Sequence, residues 1–306
     1  MNKGLVLKST GSWYTIKNGD KIIQCRIKGK FRTKDIVTTN PVTVGDQVLY
    51  EQAEDGTGII TQIEPRKNYI IRRSTRFHKE AHLLGANMDQ ALIMISLMHP
   101  ASPREFIDRF LLTAEAYQIP SVILINKTDL LDAKDQYMLK EFIHTYELAG
   151  YPCITMSVLE NKNISQVFDL MKGKLNLIAG NSGVGKTALI NAIAPELNLK
   201  TSEISDYHQV GKHTTTFSEI FIIDDDTYVI DSPGIKGFGI LDIDKSEVGL
   251  YFPEIFRISK ECKFYNCTHL HEPGCAVIKA VEEGNIGLSR FRSYTNIMLD
   301  EGSKYR

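Results

Sequence analysis

Short runs of alternating apolar and polar residues fill the first 70 or so positions of the chain. Turn signals at Asn18-Gly19-Asp20 and Asp55-Gly56 separate these runs. The strands predicted from the runs are Gly11–Ile16, Lys21–Ile27, Gln47–Glu51 and Gly58–Ile63. Five or so short strands in such a span predict a small β-barrel, and we favour an OB-type barrel over an SH3-like one.

The segment 66–87 shows only weak periodicity and is rich in basic side chains. Its basic residues include Arg72, Arg73, Arg76, His78 and Lys79. We interpret it as a basic connector, either a solvated linker or a segment that contacts RNA directly.

From residue 89 onward, short apolar strands alternate with amphipathic helices. The predicted strands are Ala91–Leu97, Ser121–Ile125, Pro152–Met156 and Leu175–Ala179. The predicted helices are Arg104–Tyr117, Lys134–Gly150 and Ile164–Lys172. This alternation predicts a doubly wound α/β sheet, because continuous apolar strands are typical of parallel sheets covered on both faces.

The composition is that of a soluble globular protein: 306 residues, 42% hydrophobic and 24% charged. The longest apolar stretch, Ala91–Met98, is far shorter than the roughly 20 residues of a membrane span. The N-terminal residues lack the apolar region of a secretory signal. We therefore expect a cytoplasmic protein without a membrane partner.

Charge is unevenly distributed along the chain. Residues 1–80 hold 15 Lys and Arg against 8 Asp and Glu, whereas the remainder holds 21 against 29. The N-terminal part is therefore basic and the rest acidic. Such a distribution indicates that the barrel is the part that binds nucleic acid.

A glycine-rich run, GNSGVGKT, follows the predicted strand Leu175–Ala179 and precedes a helix-like run. This is the context that a phosphate-binding loop requires. We expect Lys186 to reach the β- and γ-phosphates and the Thr187 hydroxyl to bind Mg²⁺. The predicted phosphate-binding residues are Gly180, Asn181, Ser182, Gly183, Val184, Gly185, Lys186, Thr187 and Ala188.

A second motif, NKTD, comprises Asn126, Lys127, Thr128 and Asp129 and follows another apolar strand. The Asp129 carboxylate can accept hydrogen bonds from N1–H and the exocyclic amine of guanine, which adenine does not offer. GTP is therefore preferred over ATP. We expect Asn126 and the stem of Lys127 to steady the base, and the Ser157 N–H to meet guanine O6.

DSPG begins at Asp231, after a third apolar run. We expect the Asp231 carboxylate to hold Mg²⁺ through water and the Gly234 N–H to sense the γ-phosphate. The segment 206–216 is then the first switch, in which one threonine completes the metal shell. Thr214, Thr215 and Thr216 are the alternatives, and we favour Thr215.

Ile235 follows Gly234, where many GTPases carry the glutamine that orients the attacking water. An aliphatic side chain cannot do this, so intrinsic hydrolysis should be slow. His213 is the catalytic candidate, alongside Lys186 and Thr215. The alternative is that His213 only packs or binds a partner. Because Gly183 stands where potassium-activated GTPases usually have asparagine, we predict no potassium requirement.

The order of these motifs is unusual. The base motif precedes the phosphate loop, which precedes the switch threonines and DSPG, whereas an ordinary guanine-nucleotide switch begins with the phosphate loop. A site needs its groups close in space, in no particular chain order. The sequence therefore predicts a circularly permuted GTPase.

Three of the five cysteines lie in one short segment near the C-terminus. Cys262, Cys267, His269 and Cys275 have the spacing C-x4-C-x-H-x5-C, a complete tetrahedral ligand set for one structural Zn²⁺. The surrounding residues predict a short helical tail that has little hydrophobic core of its own. Zinc binding would therefore contribute to its folding.

The chain resembles the bacterial ribosome small-subunit-dependent GTPase A family over nearly its whole length. The resemblance rests on the barrel and on the motifs NKTDL, GNSGVGKT, HTTT, DSPGI and CKFYNCTHLHEPGCAV. The resemblance implies binding to the decoding region of the small ribosomal subunit and its rRNA during late maturation. Two residues depart from the common family pattern while keeping its chemistry: Lys212, where arginine is frequent, and Thr187, where serine is commoner.

The predicted fold is an all-β OB-type barrel, an α/β circularly permuted P-loop GTPase domain with a doubly wound sheet, and a small helical zinc domain. We place them at residues 1–70, 71–245 (with the connector at 71–88) and 246–306. We expect a monomer that hydrolyses GTP to GDP with stimulation by the small subunit. The alternative is a GTP-gated rRNA-binding module in which hydrolysis is incidental. An ATP-dependent nucleic-acid enzyme conflicts with Asp129.

Overall fold

The computed structural model describes residues 1–27, 40–73, 81–200, 219–231 and 243–299. The predicted switch residues His213, Thr214, Thr215 and Thr216 lie outside these ranges, as do Gly234 and Ile235.

The N-terminal part is a closed five-stranded barrel. Its strands are β1 (Asn2–Ser9), β2 (Tyr14–Asn18), β3 (Lys21–Ile27), β4 (Gln47–Gln52) and β5 (Gly58–Ile63). They pair in the order β1-β2-β3-β5-β4, and β4 pairs back onto β1. The interior is filled by inward-pointing side chains such as Val6, Ile16, Val48 and Ile60. The expected OB-like barrel is confirmed, with β1 as a strand that we did not name from the sequence.

The basic connector is more regular than the sequence predicts. Strands β6 (Tyr69–Arg73) and β7 (Ala81–Ala86) form an antiparallel pair. Gly45, in the barrel, allows this pair to approach, since a Cβ there would lie 2.0 Å from the Ala86 carbonyl oxygen. The connector is therefore packed against the barrel at one end.

The GTPase domain is a mostly parallel sheet. Its strands are β8 (Gln90–Ser96), β9 (Ser121–Asn126), β10 (Cys153–Thr155), β11 (Leu175–Ala179), β12 (Glu219–Ile222) and β13 (Tyr228–Asp231). Its helices are α1 (Arg104–Ala116), α2 (Asp135–Leu148), α3 (Ile164–Met171) and α4 (Lys186–Ile193). The strand order is β10-β9-β8-β11-β13-β12, and only β12 is antiparallel to its neighbour in this order.

Strand β8 shows why helices cover both faces of this sheet. All seven of its residues are buried, and successive side chains of a strand point to opposite faces. Ile93 and Ile95 pack with residues of α1 and α2, whereas Leu92 and Met94 pack with residues of α3 and α4. The doubly wound architecture is confirmed.

The barrel and the GTPase sheet are joined edge to edge. Strand β1 pairs with β12 through Lys8 and Glu219, so that eleven described strands belong to one hydrogen-bonded sheet. Lys17 of β2 also reaches across, donating to the Asp225 carbonyl oxygen at 2.8 Å and to the Tyr228 hydroxyl at 2.9 Å. The sequence did not predict this junction.

The described part of the C-terminal unit is helical, as expected. It contains a 3-10 helix, Lys245–Tyr251, followed by α5 (Pro253–Ser259), α6 (Ala276–Glu282) and α7 (Leu288–Leu299). Proline begins α5, at a position where its missing N–H has no helical partner to lose. The core of the unit includes Leu112 of α1. The unit is therefore packed on the GTPase domain.

A buried ion network links the C-terminal unit to α1. The Arg290 guanidinium donates to Asp108 Oδ1 at 2.8 Å and to Glu254 Oε1 at 2.8 Å. The side chains of all three are at most 1% exposed. Burial alone lowers the pKa of Arg290, but Glu254 and Asp108 outweigh this effect and the pKa lies well above its ordinary value. Arg290 therefore stays charged in the interior.

Among the helices of the described residues, none has both the length and the apolar character needed to cross a bilayer.

Candidate nucleotide site and metal centre

The carboxyl ends of the parallel strands lie at one edge of the GTPase sheet. The register places Ser96 of β8 beside Asn126 of β9, and Ile93 of β8 beside Ala179 of β11. The phosphate loop follows β11 and the base motif lies at the end of β9. The fold therefore brings two motifs that are more than 50 residues apart to the edge where open α/β sheets bind ligands.

Two glycines of the phosphate loop are required by close backbone packing. A Cβ at Gly180 would lie 2.2 Å from the Met94 carbonyl oxygen, and one at Gly185 would lie 2.5 Å from Asn126 Nδ2. Both residues also have positive φ, 150° and 104°. A larger residue at either position would displace the loop from the strand beneath it.

Lys186 and Thr187 begin α4, directly after this loop. The Lys186 ammonium donates to the Gly180 and Asn181 carbonyl oxygens at 2.7 and 2.9 Å. It thus lies across the mouth of the loop. Thr187 is buried in the first helical turn. Backbone N–H groups and the positive end of the α4 dipole are directed toward the loop, which suits a bound phosphate.

The remaining loop residues divide into an anchored and an exposed set. Val184 is fully buried, whereas Ser182 and Gly183 are exposed and Asn181 is half-buried. Ala188 lies within α4. The loop is therefore held in the core at its C-terminal end and open to solvent at its tip.

Asn126 ties the base motif to the phosphate loop. Its side-chain Nδ2 donates to the Val184 carbonyl oxygen at 2.8 Å, and its Oδ1 accepts from the Val158 N–H at 3.1 Å. The residue is buried. Both ends of the Asn126 amide are therefore used to hold three loops together.

Asp129 is oriented by the loop after β10. The Ser157 hydroxyl donates to Asp129 Oδ1, while the Ser157 N–H donates to the Lys162 carbonyl oxygen at 3.2 Å. We expected that N–H to face guanine O6, and the structure instead uses it within its own loop. Ser157 therefore contributes through its hydroxyl, by holding the Asp129 carboxylate in place.

Lys127 and Thr128 complete the base motif. The Thr128 hydroxyl donates at 3.0 Å to the carbonyl oxygen of Met156, the residue that follows β10. The Lys127 backbone is left-handed, with φ at 64°. Its ammonium donates to the His99 carbonyl oxygen. The stem of Lys127 is therefore held between the base motif and the loop after β8.

Asp231 is described by its backbone, which ends β13. Since β13 is the parallel neighbour of β11, Asp231 lies at the same edge as the phosphate loop. The predicted partners His213, Thr215 and Gly234 lie outside the described residues.

The four predicted metal ligands converge. The ligand atoms of Cys262, Cys267, His269 and Cys275 lie within 4.8 Å of one another. Cys262 Sγ is 3.8 Å from Cys275 Sγ and 3.6 Å from His269 Nδ1. Tetrahedral zinc with bonds of about 2.3 Å to sulfur and about 2.0 Å to nitrogen requires ligand separations of about 3.5–3.8 Å. The donor set fits the ion, and the two separations from Cys262 match these values.

The loop that carries His269 is organised by a residue that sequence reasoning missed. Glu272 accepts hydrogen bonds from the Thr268 N–H at 2.8 Å and the Leu270 N–H at 3.1 Å. Burial raises the pKa of Glu272, but these and further hydrogen bonds lower it to about 2. Burial lowers the pKa of His269 and favours the neutral imidazole that a metal ligand requires.

Comparison with known proteins identifies the chain. Models of two domains match it: the RsgA N-terminal domain over residues 3–60 and the RsgA GTPase over residues 63–241. The chain belongs to the RsgA GTPase family. It is accordingly a GTP-hydrolysing enzyme with a circularly permuted GTPase domain.

Named relatives match the chain over 99% of its length. A protein of Bacteroides fragilis named small ribosomal subunit biogenesis GTPase RsgA is 51% identical, with 99% of each chain covered. A protein of the same name from Phocaeicola vulgatus is 52% identical over the same shares. Among solved structures, YjeQ from Thermotoga maritima has 33% identity and a TM-score of 0.80, with 97% of each chain covered.

YloQ, whose crystal structure is described as that of a circularly permuted GTPase, has 30% identity and a TM-score of 0.74. The similarity covers 97% of this chain and 94% of the YloQ chain. The permuted order of motifs in this RsgA GTPase therefore belongs to a fold that experiment has already shown.

Proposed function

We propose that this RsgA GTPase acts in late maturation of the small ribosomal subunit, where it binds rRNA and hydrolyses GTP to GDP and phosphate. The observation that carries the proposal is the full-length similarity to proteins named for small-subunit biogenesis, at 51–52% identity. Because the similarity spans the barrel, the nucleotide site and the C-terminal unit, it supports a shared task as well as a shared reaction.

In this proposal the nucleotide lies at the carboxyl edge of the sheet. Asp129 reads guanine, with Ser157 and Asn126 holding the loops in place, and Lys186 binds the phosphates. Mg²⁺ would be held by the Thr187 hydroxyl, by Thr215 and, through water, by Asp231, and the Gly234 N–H would sense the γ-phosphate. Mg²⁺ would neutralise charge that develops on the phosphate oxygens during transfer.

Hydrolysis is assigned to in-line attack by water. Because Ile235 has no polar group to orient this water, we assign that task to His213, and we expect turnover to be slow without the ribosomal subunit. If hydrolysis were incidental to GTP-gated rRNA binding, replacing His213 by alanine would leave subunit-stimulated turnover unchanged.

Zn²⁺ is proposed to be held by Cys262, Cys267, His269 and Cys275. Four protein ligands leave the ion no open position, so its role is structural. The basic barrel at residues 1–70 is proposed to bind rRNA, with 71–245 as the GTPase domain and 246–306 as the zinc domain. We further propose a cytoplasmic monomer.

The test is the steady-state GTPase rate of the purified protein with and without isolated small ribosomal subunits, with large subunits as the control. We expect a rise of at least about tenfold that is specific to the small subunit, equivalent to about 1.4 kcal/mol of transition-state stabilisation. Equal rates with both subunits would refute the stimulated-enzyme proposal and favour the gated-binding alternative.

A further inference from the structure

Apolar packing joins the barrel to the GTPase sheet, since Leu7 and Val44 lie in the same buried cluster as Ile230. Two polar contacts of β1 and β2 lie beside this packing, and they differ in their distance from the nucleotide edge. The first is at Lys8 and Glu219, where β1 pairs with β12. The second is at Lys17, which binds the Asp225 carbonyl oxygen and the Tyr228 hydroxyl.

The contact at Glu219 lies at the nucleotide edge. In the register of β12 with β13, Glu219 is paired with Asp231, the residue with which the DSPG motif begins. Strand β13 is in turn the parallel neighbour of β11, which leads into the phosphate loop. Lys8, Glu219 and Asp231 therefore form one cross-strand row from the barrel to the nucleotide site.

The contact at Lys17 lies at the opposite end of the same hairpin. Tyr228 begins β13, and Asp225 lies in the turn between β12 and β13. Parallel strands carry their ligand sites at their carboxyl ends, so this contact lies away from the bound phosphates.

The side chains in the cross-strand row form an ion pair. Lys8 Nζ lies 2.9 Å from both carboxylate oxygens of Glu219, and the side chains are 40% and 43% exposed. In the sequence, Glu219 comes three residues after HTTT, and across the sheet it is paired with Asp231 of DSPG. Glu219 is therefore next to both predicted switch motifs.

We propose that the Lys8–Glu219 ion pair couples the nucleotide state of the GTPase domain to the placement of the RNA-binding barrel. A change at the γ-phosphate alters the β12–β13 edge beside Asp231, and the ion pair carries this change to β1. The Lys17 contact holds the barrel in both states and does not respond to the nucleotide. This inference rests on the proposed function, because the barrel's ligand is taken to be the small subunit.

The free energy of this coupling is limited by the strength of the ion pair, and the coupling is reciprocal. An ion pair that is partly exposed contributes at most about 1 kcal/mol, so it can change a ratio of affinities by at most about fivefold. By linkage, the small subunit must shift the preference for GTP over GDP by the same factor.

The experiment measures the affinity of isolated small subunits for the full-length protein with a non-hydrolysable GTP analogue and with GDP. We expect Lys8→Ala and Glu219→Gln each to move the ratio of the two affinities toward one by about twofold to fivefold. The charge-reversed double variant Lys8→Glu/Glu219→Lys should restore the ratio. Lys17→Ala is the matched control and should leave the ratio unchanged.

Three outcomes would overturn the coupling. One is a wild-type protein with equal affinities in the two nucleotide states, which would leave the proposed function standing. Another is a Lys8→Ala variant that binds small subunits more weakly in both nucleotide states while Glu219→Gln has no effect. Lys8 would then act by contacting RNA and not through its ion pair. A third is an equal loss of the ratio in Lys17→Ala. A wild-type protein that does not bind small subunits would overturn the proposed function and the coupling together.

Discussion

The buried network around Arg290 provides a prediction about how the C-terminal unit stays on the GTPase domain. We consider Arg290→Met, which keeps most of the side chain's apolar volume but removes its charge. The substitution leaves Asp108 and Glu254 without their cation, although their side chains are 0% and 1% exposed. Breaking a buried ion pair by removing one partner costs about 3–5 kcal/mol.

A matched control lies at the same junction. Arg104 of α1 donates to Ser289 of α7 at 2.9 Å and to Glu141 of α2, but the Arg104 and Glu141 side chains are 33% and 45% exposed. Because water can solvate the groups left behind, Arg104→Met should cost no more than about 1 kcal/mol. Burial is therefore the main difference between the two variants.

Hydrogen exchange of the α7 amides, followed by mass spectrometry in the presence of zinc, reports the local stability directly. We expect exchange in Arg290→Met to be faster by roughly two to four powers of ten, which corresponds to the loss of about 3–5 kcal/mol. Replacing the carboxylates as well, with Asp108→Asn and Glu254→Gln, should recover part of the loss. The reasoning is wrong if Arg290→Met and Arg104→Met accelerate exchange equally.

Three further predictions concern the two sites. Gly185→Ala should abolish binding of a fluorescent GTP analogue, because its Cβ would lie 2.5 Å from a buried side-chain nitrogen, whereas Gly284→Ala, with open space around the Cβ, should not. Ser157→Ala should weaken GTP binding by about tenfold, since the Asp129 carboxylate loses a hydrogen bond worth about 1.5 kcal/mol; an unchanged dissociation constant in calorimetry would contradict this. Cys275→Ser should release zinc and unfold the C-terminal unit with GTP binding retained, as followed by metal analysis and circular dichroism.

Most of the GTPase domain could be predicted because its signals are local. Apolar runs such as Leu175–Ala179 coincide with observed strands, since a parallel strand buried on both faces needs no distant information to be recognised. The phosphate loop and the predicted metal ligands are equally local, because each set occupies a short stretch with its own spacing. The structure brings the four metal ligands together as that spacing indicates.

Roles that depend on a distant partner could not be predicted. We predicted that Asn126 steadies the base, and the structure adds contacts of its amide with the Val184 and Val158 backbones that the sequence did not indicate. Ser157 was expected to use its N–H, which instead closes its own loop. In both cases the residue type was informative, but the chemistry depended on which loop packs beside it.

The sequence by itself therefore determined the reaction and the order of the parts, because phosphate, guanine and metal binding each require a compact set of residue types. Only the tertiary structure decided how those parts are connected. Lys8 and Glu219 are 211 positions apart and Arg290 and Asp108 are 182. No periodicity relates such positions, and their pairing exists only because the sheet edge and the helix junction bring them within hydrogen-bonding distance.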